Sequence, residues 1–217
     1  DKGEIKTGDL DATSPNNGGN IDLNAGTKIT TGDINTSAFN RGGNIFFDVN
    51  GNITAGKIDS SSSGNAGDVS IINRNSSGNT IVNLISAQSM VSGTGGDVFI
   101  RGQRFFRSTG SLIDKNGIDA SISTAGNPGD IDGGTIVIHH GGAGITPFIV
   151  GDSAINGTAG AITRGNSNPI QTILPDRSYL YTHRQDVDRI QIISVPPVVP
   201  PPPAPTPPPP TPPPLPT

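Results

Sequence analysis

The chain has 217 residues and a formal net charge of -4, from 14 Lys and Arg against 18 Asp and Glu. That balance excludes the coherent basic surface a nucleic-acid partner needs, and the absence of Cys excludes disulfides and thiolate metal sites. With 30 Gly, no Trp and only 4% aromatic residues, the composition suits a narrow solenoid filled by Ile and Val rather than a broad α/β core.

Residues 1–17 read as the tail of a structural layer whose start is missing. Thr7-Gly8-Asp9-Leu10 matches Thr31-Gly32-Asp33-Ile34, and Ile5 matches Ile29. No signal peptide opens the chain, and Asp1 falls in mid-repeat, so a processed product or a piece of something longer is expected. No apolar run approaches the roughly 18 residues that span a bilayer, so membrane insertion is not expected.

From Gly18 to Gly67 the chain repeats itself. Gly18-Gly19-Asn20-Ile21-Asp22-Leu23 returns as Gly42-Gly43-Asn44-Ile45-Phe46-Phe47 and then as Ala66-Gly67-Asp68-Val69-Ser70-Ile71. A fixed period in this range marks a solenoid, and short alternating runs broken by Gly, Asn and Ser make its layers from strands. The predicted fold class is all-β, a parallel β-helix of 24-residue coils in about six layers.

Side chains on a strand alternate faces, so stacking sets Ile21 on Ile45 on Val69. Further columns run through Ile29 and Ile53, and through Ile34 and Ile58. Asn20 over Asn44 reads as a stacked amide ladder. Gly18, Gly42 and Gly67 mark corners.

Beyond Asp68 the period loosens. Its signature returns at Gly95–Ile100 and Gly133–Ile138, which predicts external loops near Arg101–Arg107 and 123–132. Ile113 and Ile118 keep the spacing of Ile29 and Ile34 and are expected to hold the same strand positions. Residues 145–163 read as a last, irregular coil. Three segments follow: a solenoid over 1–165, a terminal cap or extended strand over 166–195, and a proline-rich linker over 196–217. The linker composition forces polyproline II, reaching roughly 70 Å.

The Gly-Gly-Asn-Ile opening, Ile29–Ile34 and the Asn/Ser-rich corners resemble the filamentous-haemagglutinin-type exoproteins of Gram-negative bacteria. The resemblance implies a right-handed β-helix exported across the outer membrane by a partner transporter. The run Pro175–His183, with Ile190–Val195 and the Pro tract, looks like a subgroup in which such a stalk leads into a caspase-like CHAT peptidase domain. Neither that group's secretion domain nor a peptidase domain is present in this sequence, so the resemblance carries over no catalytic residue.

An enzyme would have to draw on few acids. Glycoside cleavage needs two carboxylates about 5–10 Å apart, and Asp130 with Asp132 is the best pair, followed shortly by His139 and His140, with Arg101, Arg104 and Arg107 as candidates to bind an acidic sugar. The alternative is corner chemistry, with Asp as a turn former. Adjacent His139 and His140 point to opposite faces of a strand and cannot chelate together, and His183 is distant in sequence. No metal and no cofactor is expected.

Arg104, Phe105, Phe106 and Arg107 form a candidate contact cluster for an anionic glycan or another subunit. Ile190, Ile192 and Val195 form a strand that a neighbouring molecule could accept at its open end, which would give head-to-tail filaments. The expected function is structural: a secreted or surface-exposed fibre segment that self-associates, with a glycan or cell-surface ligand as a further target. The alternatives are a non-catalytic stalk of a modular peptidase or effector, and a polysaccharide-active enzyme.

Overall fold

The computed structural model describes residues 3–127 and 133–196. Among them the chain forms 23 strands and no helix. β1 (Glu4–Lys6) and β2 (Leu10–Asp11) open a partial coil. Three coils of three strands follow. They are β3 (Ile21–Ala25), β4 (Lys28–Thr30) and β5 (Ile34–Asn35); β6 (Ile45–Val49), β7 (Asn52–Ala55) and β8 (Ile58–Asp59); and β9 (Val69–Asn73), β10 (Thr80–Val82) and β11 (Ile85–Ser86). The next holds β12 (Val98–Arg101), β13 (Phe106–Ser108), an inserted β14 (Leu112–Ile113) and β15 (Asp119–Ser123). Then come β16 (Ile136–Gly141), β17 (Phe148–Val150), β18 (Gly157–Thr158) and β19 (Ala161–Thr163). β20 (Thr172–Ile173), β21 (Arg177–Tyr179), β22 (His183–Gln185) and β23 (Ile190–Val195) complete the described chain.

Equivalent strands of successive coils pair in parallel and build three walls of a β-solenoid. Wall 1 runs β3-β6-β9-β12-β16-β23-β22, wall 2 runs β1-β4-β7-β10-β13-β18-β17-β21, and wall 3 runs β2-β5-β8-β11-β15-β19-β20. The predicted columns are present. Ile21 pairs with Ile45 and Ile45 with Val69, continuing through Val98 and Ile136 to Ile190. Ile29 stands on Ile53 in wall 2, and Ile34 on Ile58 in wall 3. Alternation explains their burial: β6 and β9 each read buried, half-buried, buried along their length. Apart from half-buried Ile21 in the outermost coil, each such Ile or Val is shut away almost completely, and burying one contributes about 1.5–3 kcal/mol.

The corner glycines are required by space rather than by backbone twist. A Cβ on Gly42 would fall 1.9 Å from the Ser60 carbonyl oxygen, and one on Gly18 would fall 1.9 Å from that of Thr36. Wall 3 passes so close beneath the start of wall 1 that only hydrogen fits.

Three expectations are corrected or narrowed by the structure. Ile113 and Ile118 do not continue the columns. Phe106 takes the wall 2 position by pairing with Thr80, and Ile122 takes the wall 3 position by pairing with Ile85. Residues 109–118 instead form the insertion, with β14 antiparallel to β15 and Ile113 exposed. The loop expected near Arg101–Arg107 is confined to residues 102–105, because Arg101 ends β12 and β13 begins at Phe106. Finally, Ile190–Val195 is not a free strand for a neighbour. β23 pairs along its whole length with β16, to which it is parallel, and through Ile190, Gln191 and Ile192 with β22, to which it is antiparallel, so one edge is fully paired and half of the other is covered.

The two ends differ. At the C-terminal end each wall finishes on an antiparallel strand: β22 on β23, β21 on β17 and β20 on β19. At the N-terminal end β1, β2 and β3 are the outermost strands, and no further described strand pairs with them.

Candidate functional site

Asn20 and Asn44 do stack, but not amide on amide. The Asn20 side-chain oxygen accepts the backbone N–H of Asn44 at 2.8 Å. Asn44 does the same for Asp68, Asp68 for Asp97, and Asp97 for Thr135, at 3.0, 2.8 and 2.7 Å. A second ladder runs from Asp9 to Asp33 to Lys57 before wall 3, and Asn52 accepts from Asn79 before wall 2. At each of these positions a short polar side chain places its oxygen to cap an N–H one coil on. The first ladder ends at Thr135 and the second at Lys57, which has no oxygen to offer. The sequence signal was an Asx directly before each strand, and only its first instance was read.

The inner corners are pinned as well. Thr36, Ser60 and Thr124 donate their hydroxyls to the carbonyls of Gly43, Gly67 and Gly134, at 2.7, 2.7 and 3.1 Å. In the next coil Arg164 takes over this duty. Only 1% exposed, it donates Nε to Gly134 O at 3.2 Å and Nη2 to Gly133 O at 2.6 Å, and Nη1 pairs with Asp186. Asp186 opens a turn in which Asp186, Val187 and Asp188 all have left-handed φ, of 53°, 50° and 64°. Nothing in the repeat announced this latch.

The candidate contact cluster is split by burial. Arg104 is exposed and lies over the half-buried Phe105 ring, 5.7 Å from its centroid. Together with Gln103, Ile145 and Thr146 they line a 250 Å³ groove. Phe106 is not a contact residue: it is buried and stacks on Phe148, with centroids 6.4 Å apart. Arg107 donates Nε to Ser153 O at 2.6 Å and so fastens the loop between β17 and β18.

His139 and His140 do face opposite ways. His139 is half-buried on the outside against Phe99, and burial with the nearby Arg101 charge lowers its pKa. His140 is fully buried. Its Nδ1 lies 2.6 Å from Gly141 O and 2.9 Å from Asn156 Nδ2, while Nε2 meets no partner among the described residues. Burial pushes its pKa down to about 4, so it is a neutral core group at neutral pH. His183 stacks on Tyr179 with ring centroids 4.1 Å apart. Asp130 and Asp132 lie outside the described residues. Among the described residues no three His, Asp or Glu side chains are grouped to hold a metal.

The outer faces of the walls differ in character. Wall 2 presents Glu4, Lys28, Asn52, Thr30 and Thr54 with half-buried Ile81, and wall 3 presents Asp11, Asn35 and Asp59, with Ser86 buried in line with them. A 410 Å³ groove on wall 3 runs over Ser37, Ser61, Ser62 and Ser63 beneath the overhanging β14. Its charges are already engaged: Lys57 pairs with Asp59 at 2.7 Å, and Lys115 Nζ donates to Ser89 O and Gly126 O. Wall 1 turns half-buried Phe46, Ile72, Phe99, Val137 and Ile193 outward, alternating with Asp48, Ser70, Arg101, His139 and Gln191 on the same face. Comparison with known protein families, with curated proteins and with solved structures finds no match for this chain.

Proposed function

We propose that the chain is a structural, adhesive segment of a secreted or cell-surface bacterial fibre, wound as a right-handed solenoid of 24-residue coils with insertions. The observation that carries this reading is where the polar chemistry is spent. The Asn and Asp ladders, the corner hydroxyls, Arg164, Arg107 and His140 are all engaged in holding coil to coil or in filling the interior. A scaffold needs that outlay, whereas a catalyst needs polar groups left pointing at a substrate. Adhesion falls to the polar walls and to the insertion that overhangs wall 3. Self-association falls to the outermost N-terminal strands, since β23 is paired along all of one edge and half of the other.

The alternative of a non-catalytic stalk in a modular protein draws on the antiparallel closure of one end, directly before a proline-rich sequence. Immunogold labelling of the producing cells with antibody against the folded chain tests the main reading. Gold along extracellular projections is the expected result, and label confined to the cell interior overturns it. Release of reducing ends or unsaturated sugars from a panel of polysaccharides by the purified chain would replace the structural reading with an enzymatic one.

A further inference from the structure

The groove beneath β14 has a floor whose hydrogen bonding is incomplete. Ser61 Oγ and Ser86 Oγ lie 2.8 Å apart, Gln88 Nε2 donates to Ser86 Oγ at 2.9 Å, and Gln88 N donates to Ser61 Oγ at 3.2 Å. Two hydroxyls bring two protons, and the bond between them uses one. Whichever of the pair donates, the other keeps a proton with no acceptor among the described residues. Ser62 also lines the groove, is only 3% exposed, and its Oγ meets no partner among the described residues. Buried hydroxyls left unpaired are destabilising, so this floor gains by meeting a ligand that accepts hydrogen bonds.

The rims are apolar. Leu112 and Ile113 overhang one side, and Met90 stands on the other. Among the described residues, the exposed large hydrophobics that precede Ile145 are Phe39, Met90, Val91 and Ile113. Met90 N and Val91 N donate to Ser62 O and Ser63 O, and Gly64 N donates to Phe39 O, so three of the four share the corner at which the groove ends. The charges that line it are all engaged. Lys57 pairs with Asp59, and Lys115 Nζ serves two carbonyls. Asp114 accepts the N–H groups of Asn116 and Ile118 on Oδ1 and the Ser123 hydroxyl on Oδ2. An ionic ligand would have to break one of these pairings, and an uncharged ligand would not.

A hydroxyl floor, apolar rims and no charge to offer match a neutral sugar, whose ring carries hydroxyls around its edge and C–H groups on its faces. We infer that this groove binds a stretch of neutral oligosaccharide, with sugar oxygens on Ser61, Ser62 and Ser86 and a ring face against Leu112, Ile113 and Met90. Its 410 Å³ falls within the range of about 300–1,000 Å³ typical of small-ligand sites. The inference rests on the adhesive reading for its biological role, and names the class of ligand that the insertion over wall 3 would hold.

The chain contains no Trp, so Met90→Trp places a single fluorescent reporter on the rim and keeps it apolar. The full chain carrying it is titrated to millimolar concentration with cellohexaose, maltohexaose, mannohexaose, galactohexaose and chitohexaose, and with hexagalacturonate as the acidic control. The expected result is a saturable fluorescence change with at least one neutral sugar, unaltered by added salt, and none with hexagalacturonate. Adding Ser62→Ala weakens that binding about tenfold. Ile113→Asp abolishes it, at a position 66% exposed where the fold tolerates a charge, with strand content checked by circular dichroism. Silence with every neutral sugar overturns the inference, as does a response to hexagalacturonate alone or one that survives both substitutions. A response to a library of uncharged peptides and to no saccharide gives the groove to a polypeptide and overturns it too. Immunogold separates the two readings: gold along projections with no sugar binding loses only the groove assignment, and interior gold with sugar binding loses only the fibre.

Discussion

Gly42 sits where the chain turns into wall 1, and the Ser60 carbonyl leaves no room for a methyl group. Gly42→Ala forces the two walls apart, at a cost of about 1–3 kcal/mol, visible as a lower urea midpoint with an unchanged slope. His140 carries a pH dependence whose sign follows from its neutral burial. The unfolded imidazole takes up a proton near its model value of 6.5, whereas the folded one waits until about 4. Between those values the unfolded state binds more protons, so stability is full above pH 6.5 and declines as the pH falls towards 4. The loss is about 3 kcal/mol over that window. Thermal melts of His140→Phe against the parent chain check this, and a parallel decline in both would reject it. Val187 is 97% exposed with a left-handed φ of 50°, a conformation that a β-branched residue resists. Val187→Asn is expected to stabilise the turn by about 1 kcal/mol in denaturant titrations.

Arg164 joins elements that are distant in sequence, the Gly133-Gly134 corner and the turn before β23. Removing it takes a donor from the Gly133 carbonyl and the partner from the Asp186 carboxylate, while Gly134 O keeps the Thr124 hydroxyl, so Arg164→Ala should cost about 3–5 kcal/mol. Arg164→Met with Asp186→Leu should recover much of that loss, because the pair is then replaced rather than broken. Chemical denaturation of the single and double variants separates the two cases. This latch was invisible in the sequence because it belongs to a coil with no second copy to compare. The columns through Ile21, Ile29 and Ile34 were legible for the opposite reason: period 24 and alternation along each strand agreed on the same residues. Legibility failed where an insertion broke the count. Ile113 and Ile118 kept the right mutual spacing, but Phe106 and Ile122 had the right register, and only strand pairing distinguishes the two sets. At Asn20 and Asn44 the pairing was right and the chemistry differed, since each oxygen found a backbone N–H sooner than another amide.

Across the whole molecule, each coil touches chiefly its two neighbours, so stability is close to a sum of coil and interface contributions. The end where antiparallel strands and Arg164 close the stack should open last. The end formed by β1, β2 and β3 should open first. Native-state hydrogen exchange is expected to show protection rising from β3 to β16, and uniform protection along wall 1 would mean that the walls open all at once. The corner ladders add a direction to this architecture, since each Asn or Asp side chain serves only the layer that comes after it. A tandem copy of residues 18–41 would therefore meet its parent through the same groups that already join 18–41 to 42–65: Asn20 before wall 1, Asp33 before wall 3, and glycines at the same tight corner. Gene duplication can lengthen this molecule without any compensating substitution, and reach becomes an inherited quantity adjustable in increments of about 4.8 Å.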